Sequence, residues 1–264
     1  MPQHPTDRLK IADIAGFDRF TANGKLSPAR ATVNAALIGN PRGSYGDVCQ
    51  PVESAAIKAL MVTRNVGPFS VTGLSPAVSA LTAVMAEVRT THPDLHDRLG
   101  TAGMLCCRLV RGSATAVSNH SWGLAVDLTI DKELDTRGDG FVQRGLLDLW
   151  PIFNRHGFYW GIAFPTEDSM HFEASDQMIR RWAAEGAFGA QSGKTIPGAL
   201  TVGDRGPRVL ALQRALNAAL APARIDEDGI FGPMTRLALI DFQRANGLAP
   251  DGLANGTVQK RLGI

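Results

Sequence analysis

The stretch Ser118-Asn119-His120-Ser121-Trp122-Gly123-Leu124-Ala125-Val126-Asp127-Leu128-Thr129-Ile130 decides how this chain is read. From Leu124 onward it alternates as a half-buried strand does. Leu124, Val126, Leu128 and Ile130 share the face that enters a core, and Ala125, Asp127 and Thr129 share the other. His120 precedes this strand across a Trp-Gly corner, seven positions before Asp127. A second strand-like segment, Asp168-Ser169-Met170-His171-Phe172-Glu173, carries another imidazole. Two histidines and a carboxylate converging from neighbouring strands, with a fourth position left to water, make a catalytic zinc shell. On spacing alone, a hydrogen-bonded His–Asp pair is the competing reading.

The pattern Ser-x-His-x-x-Gly-x-Ala-x-Asp with a later His-Phe-Glu, set within roughly residues 70–180, resembles a family of zinc peptidases. That family includes D-alanyl-D-alanine carboxypeptidases, D-Ala-D-Ala dipeptidases and phage L-alanyl-D-glutamate endopeptidases. The resemblance implies Zn2+ held by His120, Asp127 and His171. It puts the catalytic base three residues before the second histidine, at Asp168, with Glu167 as competitor. It also implies a substrate-facing arginine on the strand before the motif. Met104 to Ser113 reads as that strand and its turn, so Arg108 is the choice and Arg111 the fallback. Ser118 and Trp122 are expected at the substrate, Ser118 also as a group that orients His120. Glu173, two residues after His171 and on its strand face, is expected to orient an imidazole. The His-Glu-x-x-His helix of other zinc peptidases is absent.

Composition sets wider limits. With 264 residues, 44% of them hydrophobic, the chain has room for one large or two moderate domains. A net charge of +2 demands neither nucleic acid nor an acidic membrane as partner. Cys49, Cys106 and Cys107 form no Cys-x-x-Cys spacing, so buried free thiols made in a reducing cytoplasm are expected. The N-terminus has no basic patch followed by an apolar run, and no stretch reaches the ~18 apolar residues of a membrane span. Among the other histidines, His92 and His96 flank Pro93 and read as a helix-boundary loop. His156 reads as a helix end before the Gly157 cap, and His4 lies in a loose terminus.

The scaffold follows from periodicity. Helices are expected over Ser27–Leu37, over Pro51–Asn65 through Val52, Ala56, Leu60 and Met61, from Ser75-Pro76 to about Thr90, and over Gly145–Arg155. Phe158-Tyr159-Trp160 reads as a strand, and Asp131–Gly140 as a polar loop rimming the cleft, without the twelve-position calcium pattern. Small, glycine-rich residues then mark a linker over 189–198. Beyond it, helices follow Gly206-Pro207 and Gly232-Pro233, and an Asp-Gly turn repeats at Asp228-Gly229 and Asp251-Gly252 before the last helix. Leu237, Ile240 and Phe242 are expected to point inward. Leu212-Gln213, Asp228-Gly229-x-Phe231-Gly232-x-x-Thr235, Phe242-Gln243 and Gly247-Leu248-x-x-Asp251-Gly252 are similar to the three-helix peptidoglycan-binding domain of many cell-wall hydrolases.

The expected fold is α+β, a small antiparallel sheet with flanking helices carrying the zinc site, joined to an all-α three-helix domain. Residues 1–188 form the catalytic domain, with 1–48 an extension whose membership of that fold the sequence leaves open, and residues 199–264 bind the wall. The two resemblances imply a zinc-dependent peptidoglycan peptidase of the phage endolysin type, hydrolysing the L-alanyl-D-glutamate bond of the stem peptide. The alternatives are a D-Ala-D-Ala carboxypeptidase and a non-catalytic wall-binding protein. Bacterial peptidoglycan is the expected partner, with no nucleic acid, no membrane insertion and a monomeric state. Synthesis in a host cytoplasm without a signal peptide, then action on the wall after release, is the expected route.

Overall fold

The computed structural model describes residues 4–188, 198–201, 204–220, 225–248 and 252–264, except the side chains of residues 233 and 237. The linker expected over 189–198 falls outside them apart from Gly198, as do the side chain of Leu237 and residue Asp251. The elements begin with β1 (Arg8–Lys10), α1 (Ala31–Leu37), α2 (Ala55–Lys58), β2 (Met61–Asn65), β3 (Ser70–Leu74), α3 (Ser75–Thr91) and α4 (Pro93–His96). There follow β4 (Leu99–Gly103), β5 (Ala125–Ile130), β6 (Glu133–Leu134), β7 (Phe141–Gln143), α5 (Arg144–Arg155), β8 (Phe158–Trp160), β9 (His171–Ala174) and α6 (Asp176–Ala184). Helices α7 (Pro207–Ala219), α8 (Pro233–Ala245) and α9 (Gly256–Leu262) complete the chain, which is thus α+β with a helical C-terminal region. It divides into two compact units, residues 1–31 with 40–179, and residues 32–39 with 180–264.

In the first unit an antiparallel sheet runs β4-β5-β9-β8, with β6 beside β5. Val126, Leu128, Ile130 and Phe172 are fully buried on its apolar face. Helix α5 meets that face through Phe153, whose ring stacks 4.1 Å from Phe172. Truncating such a ring to alanine costs about 3–5 kcal/mol. Helix α3 opens at Ser75-Pro76 and buries Val78, Leu81, Val84, Met85 and Val88 on one stripe.

The N-terminal residues belong to this unit. Arg19 Nη1 donates to the carbonyls of Ile162 and Phe164, both at 2.7 Å, and the Asn23 side chain pairs with both the N–H and the carbonyl of Trp160. Strand β1 pairs with β7. Residues 8–23 are therefore stitched onto β7, β8 and the segment that follows β8.

Three expectations are corrected. Residues 51–65 do not form one helix: α2 is a short turn capped by Ser54 Oγ, and β2 pairs with β3 from Met61↔Leu74 to Asn65↔Ser70. Val62 and Thr63 suit a strand, Thr63 and Thr72 bond across the hairpin at 2.8 Å, and Gly67 at φ +126° turns it. Met104 to Ser113 is not a regular strand: Gly103 at φ +131° and a register shift end β4, and among the described residues the segment keeps the isolated bridges Gln50↔Cys107 and Leu109↔Val117. The cysteines are not all free. The first of these bridges brings Cys49 and Cys106 to a Cα–Cα distance of 5.0 Å as a disulfide, and Cys107 alone stays a buried thiol. Counting along the chain does not see this pairing across it.

The C-terminal region packs Val209, Leu212, Leu216, Phe231, Leu239, Phe242 and Val258 into one core. Ile240, expected inward, is also buried. The Asp-Gly repeat has a physical counterpart. Buried Gln213 accepts from Gly229 N–H at 2.8 Å, and buried Gln243 accepts from Gly252 N–H at 2.9 Å. Each helix thus holds the following turn through one amide side chain. Among the described residues no helix is long and apolar enough to cross a membrane.

Candidate metal centre

The register of β5 against β9 sets Asp127 directly opposite His171 and Ala125 opposite Glu173. Directly paired residues project to the same side of a sheet, so the carboxylate and the imidazole stand together. His120 arrives from a 3-10 turn, Asn119–Trp122, closed by Gly123 in the left-handed region at φ +59°. That corner presses against β3: a Cβ at Gly73 would stand 2.6 Å from the Gly123 carbonyl oxygen, and one at Gly123 would collide with the Gly73 main chain. Only glycine permits this approach of two backbones.

The result is a tight triangle. His120 Nε2 lies 3.2 Å from Asp127 Oδ1 and 3.2 Å from His171 Nδ1, and His171 Nδ1 lies 3.0 Å from Asp127 Oδ1. Donors bound at 2.0–2.1 Å in a tetrahedral site stand about 3.3 Å apart, so the set fits one such ion. His120 and His171 are buried, and Asp127 is partly buried. The outer nitrogens are also engaged: His120 Nδ1 lies 3.1 Å from the Met104 carbonyl, and His171 Nε2 lies 3.0 Å from Glu173 Oε2. When each outer nitrogen carries the proton, both inner ones offer lone pairs.

Electrostatics favour positive charge within the triangle. Burial would raise the Asp127 carboxyl, but the charges and hydrogen bonds of His120 and His171 hold it far below the carboxylate range. Burial opposes a charge on His171, yet its bonds to Asp127 and Glu173 and their charges push it up to about 10. Protons and a cation compete for the same lone pairs.

Asp168 lies just ahead of β9. Its backbone N–H donates to the Gly161 carbonyl at 3.0 Å, and a side chain at Gly161 would block this, because a Cβ there would stand 2.6 Å from the Asp168 carbonyl oxygen. Burial and then the Asp127 charge raise its carboxyl pKa, while His171, Arg137 and His120 lower it. Oδ1 is buried without a hydrogen-bond partner among the described residues. The competitor Glu167 is turned away, its Oε1 accepting from Gly140 N–H at 2.6 Å. Arg108 is half-buried: burial and the Arg111 charge lower its pKa, and the charges of Asp127 and Asp168 counter them. Arg111 is exposed.

Two residues were expected at the substrate. Trp122 is 1% exposed, packed into the core by the turn that sets His120 at the triangle, so it offers no exposed wall to a substrate. Ser118, expected to orient His120 or to touch substrate, is 6% exposed, and its main chain ties the turn to Arg108 and Ser121. Sequence reading missed Arg137, whose Nε lies 3.5 Å from Asp168 Oδ2. Its only signal was a position in a polar loop.

Comparison with known proteins places two segments in families. Residues 111–174 match a peptidase family described as D-alanyl-D-alanine carboxypeptidase, and residues 205–262 match one described as "Putative peptidoglycan binding domain". The chain therefore carries a peptidase segment of the D-alanyl-D-alanine carboxypeptidase type followed by a peptidoglycan-binding segment. A Kitasatospora aureofaciens protein, described as an uncharacterized protein in the bpoA1 3' region, is 46% identical over 54 residues, 20% of this chain and 46% of that one. The chain thus spans under half of that relative's length. The crystal structure of a Burkholderia AP3 phage endolysin is 45% identical over 24% of each chain, at a TM-score of 0.23, too low to speak for the fold.

Proposed function

We propose that the protein is a zinc-dependent peptidoglycan peptidase of the endolysin type, holding the ion through His120 Nε2, Asp127 Oδ1 and His171 Nδ1. What carries the reading is the triangle of these atoms, 3.0–3.2 Å on each side, with both outer imidazole nitrogens already engaged. A set of two imidazoles and one carboxylate suits zinc among the common ions. When bound, such an ion supplies Lewis acidity, polarising a scissile carbonyl and lowering the pKa of a water to about 7. Asp168 takes the proton of the attacking water and passes it to the leaving amine. Arg108, beside the carboxylates, steadies the substrate. The C-terminal segment holds the enzyme on the polymer and so raises the local substrate concentration.

The bond we favour is L-alanyl-D-glutamate. The second reading, a D-Ala-D-Ala carboxypeptidase, draws on the description of the family that residues 111–174 match. Digesting purified sacculi separates the two. New amino groups at glutamate support the endopeptidase, and free D-alanine supports the carboxypeptidase. Digestion that survives both a chelator and His120→Ala removes the zinc mechanism. Sacculus binding that survives deletion of residues 199–264 removes the targeting role.

A further inference from the structure

We propose that Arg137 is a positioning residue for Asp168, a role that rests on the function proposed above. Its guanidinium Nε approaches Asp168 Oδ2 at 3.5 Å, and the two side chains are 30% and 17% exposed. A carboxylate on a single torsion can swing, and a fixed cation on one oxygen removes that freedom. The other oxygen, Oδ1, is the buried one with no hydrogen-bond partner among the described residues. Arg137 thus engages one oxygen of the proposed base and leaves the other without a protein hydrogen-bond partner among the described residues.

The loop that carries Arg137 is built to hold it there. Gly138 N–H donates to the Glu167 carbonyl at 2.9 Å, and Gly140 N–H donates to Glu167 Oε1 at 2.6 Å. Both glycines are left-handed, at φ +77° and +79°, and a Cβ on Gly138 would stand 2.9 Å from Thr166 Cγ2. Asp139, between them, pairs with Arg8 and accepts from Phe141 N–H at 2.9 Å. At the near end of the loop Asp135 is 3% exposed. The residue before Asp168 is therefore clamped twice to the loop on which Arg137 rides, so the main chain that carries the guanidinium is held to the main chain that carries the carboxylate. A surface ion pair alone would be worth little. Here its effect is geometric, because misplacing a reacting group by about 1 Å can cost on the order of 100-fold in rate.

The test uses the full-length, zinc-loaded protein. Arg137→Ala and Arg137→Lys are made alone and on an Asp168→Asn background, and kcat and KM are read on purified muropeptides. Zinc content and amide exchange at Gly138 and Gly140 are read alongside. The expected result is a kcat about 10- to 100-fold lower for Arg137→Ala with KM changed less than twofold, and unaltered zinc content and exchange. Arg137→Lys should recover part of the loss, and Arg137→Ala should cost nothing further once Asp168 is Asn. A rise in KM at constant kcat would make Arg137 a substrate contact and overturn the proposal. Equal losses on both backgrounds, or faster exchange at the two glycines, would do so as well. If the parent protein cleaves no muropeptide, the function proposed above fails. A crystal structure of Arg137→Ala then decides separately: an Asp168 carboxylate spread over several rotamers supports the positioning role, and one unmoved overturns it.

Discussion

His171 and Glu173 stand two positions apart on β9, and the imidazole Nε2 meets the carboxylate Oε2 at 3.0 Å. The carboxylate is itself held: Asn119 donates to Oε2 at 2.8 Å and the Ala29 N–H to Oε1 at 3.2 Å. A fixed acceptor on Nε2 keeps the proton there and the lone pair on Nδ1, where the metal would bind. Glu173→Ala is therefore expected to weaken zinc affinity about 10- to 100-fold, read by competition with a chromogenic chelator. Unchanged affinity would mean that the pair serves folding alone.

Asp168 and Glu167 are neighbours with opposite assignments. Asp168→Asn should lower kcat about 100- to 10,000-fold while zinc stays bound, since general-base catalysis is worth that much. Glu167→Gln should leave kcat within a few-fold and reduce stability by about 1 kcal/mol through the weakened bond to Gly140. Steady-state kinetics with metal analysis separates the two, and the reverse pattern would exchange their roles.

Asp135 is 3% exposed, with Ser169 and the Gln143 main chain as polar neighbours that lower its pKa only in part. Burial first, and the Asp139 charge second, push its carboxyl up to about 7 from 3.8. The folded state thus prefers the neutral acid, so its contribution is complete below pH 4 and is lost as pH climbs through 7. Asp135→Asn should accordingly exceed the parent in stability at pH 8, by about 1–3 kcal/mol, with the gap closing toward pH 4. Urea unfolding at the two pH values tests this, and a gap that grows on acidification would contradict it.

The Cys49–Cys106 disulfide closes a loop spanning 57 positions. Constraining an unfolded chain over that length is worth about 4 kcal/mol in the chain-entropy account, and measured cases run about 2–4. A reductant should lower the melting temperature, and Cys49→Ser should lower it equally while becoming insensitive to reductant. Thiol counting on the native oxidised protein should find Cys107 protected until unfolding. A melting curve indifferent to reductant would show that the two sulfurs are not joined in solution.

Much of the centre was legible because β5 has a period of two: the alternation that buries Val126 and Leu128 necessarily turns Asp127 the other way. That His120 and His171 stand beside it followed from the motif, whereas their ligand role belongs to the proposal above. Short apolar runs were less readable. Val52 to Met61 satisfies helical spacing, and the choice of a hairpin came from the β-branched pairs and from Gly67, whose backbone angle no pattern displays. Trp122 was misplaced because a 3-10 turn sends successive side chains in different directions, so proximity to His120 in the chain said nothing about exposure. Arg137 escaped notice because its partner lies far along the chain, and a loop arginine is ordinarily a solvated one.

Gly73 and Gly123 meet main chain on main chain behind His120, and neither has anything to give up. When two side chains collide, a smaller neighbour can absorb the larger one, but here no residue smaller than glycine exists to make room. The two positions therefore share one fate under random mutagenesis. In a saturation library screened for soluble protein, both should come out nearly monomorphic although neither would touch ion or substrate. How far the hairpin and the histidine corner can diverge in evolution is thus limited from behind, by a contact that takes no part in the reaction.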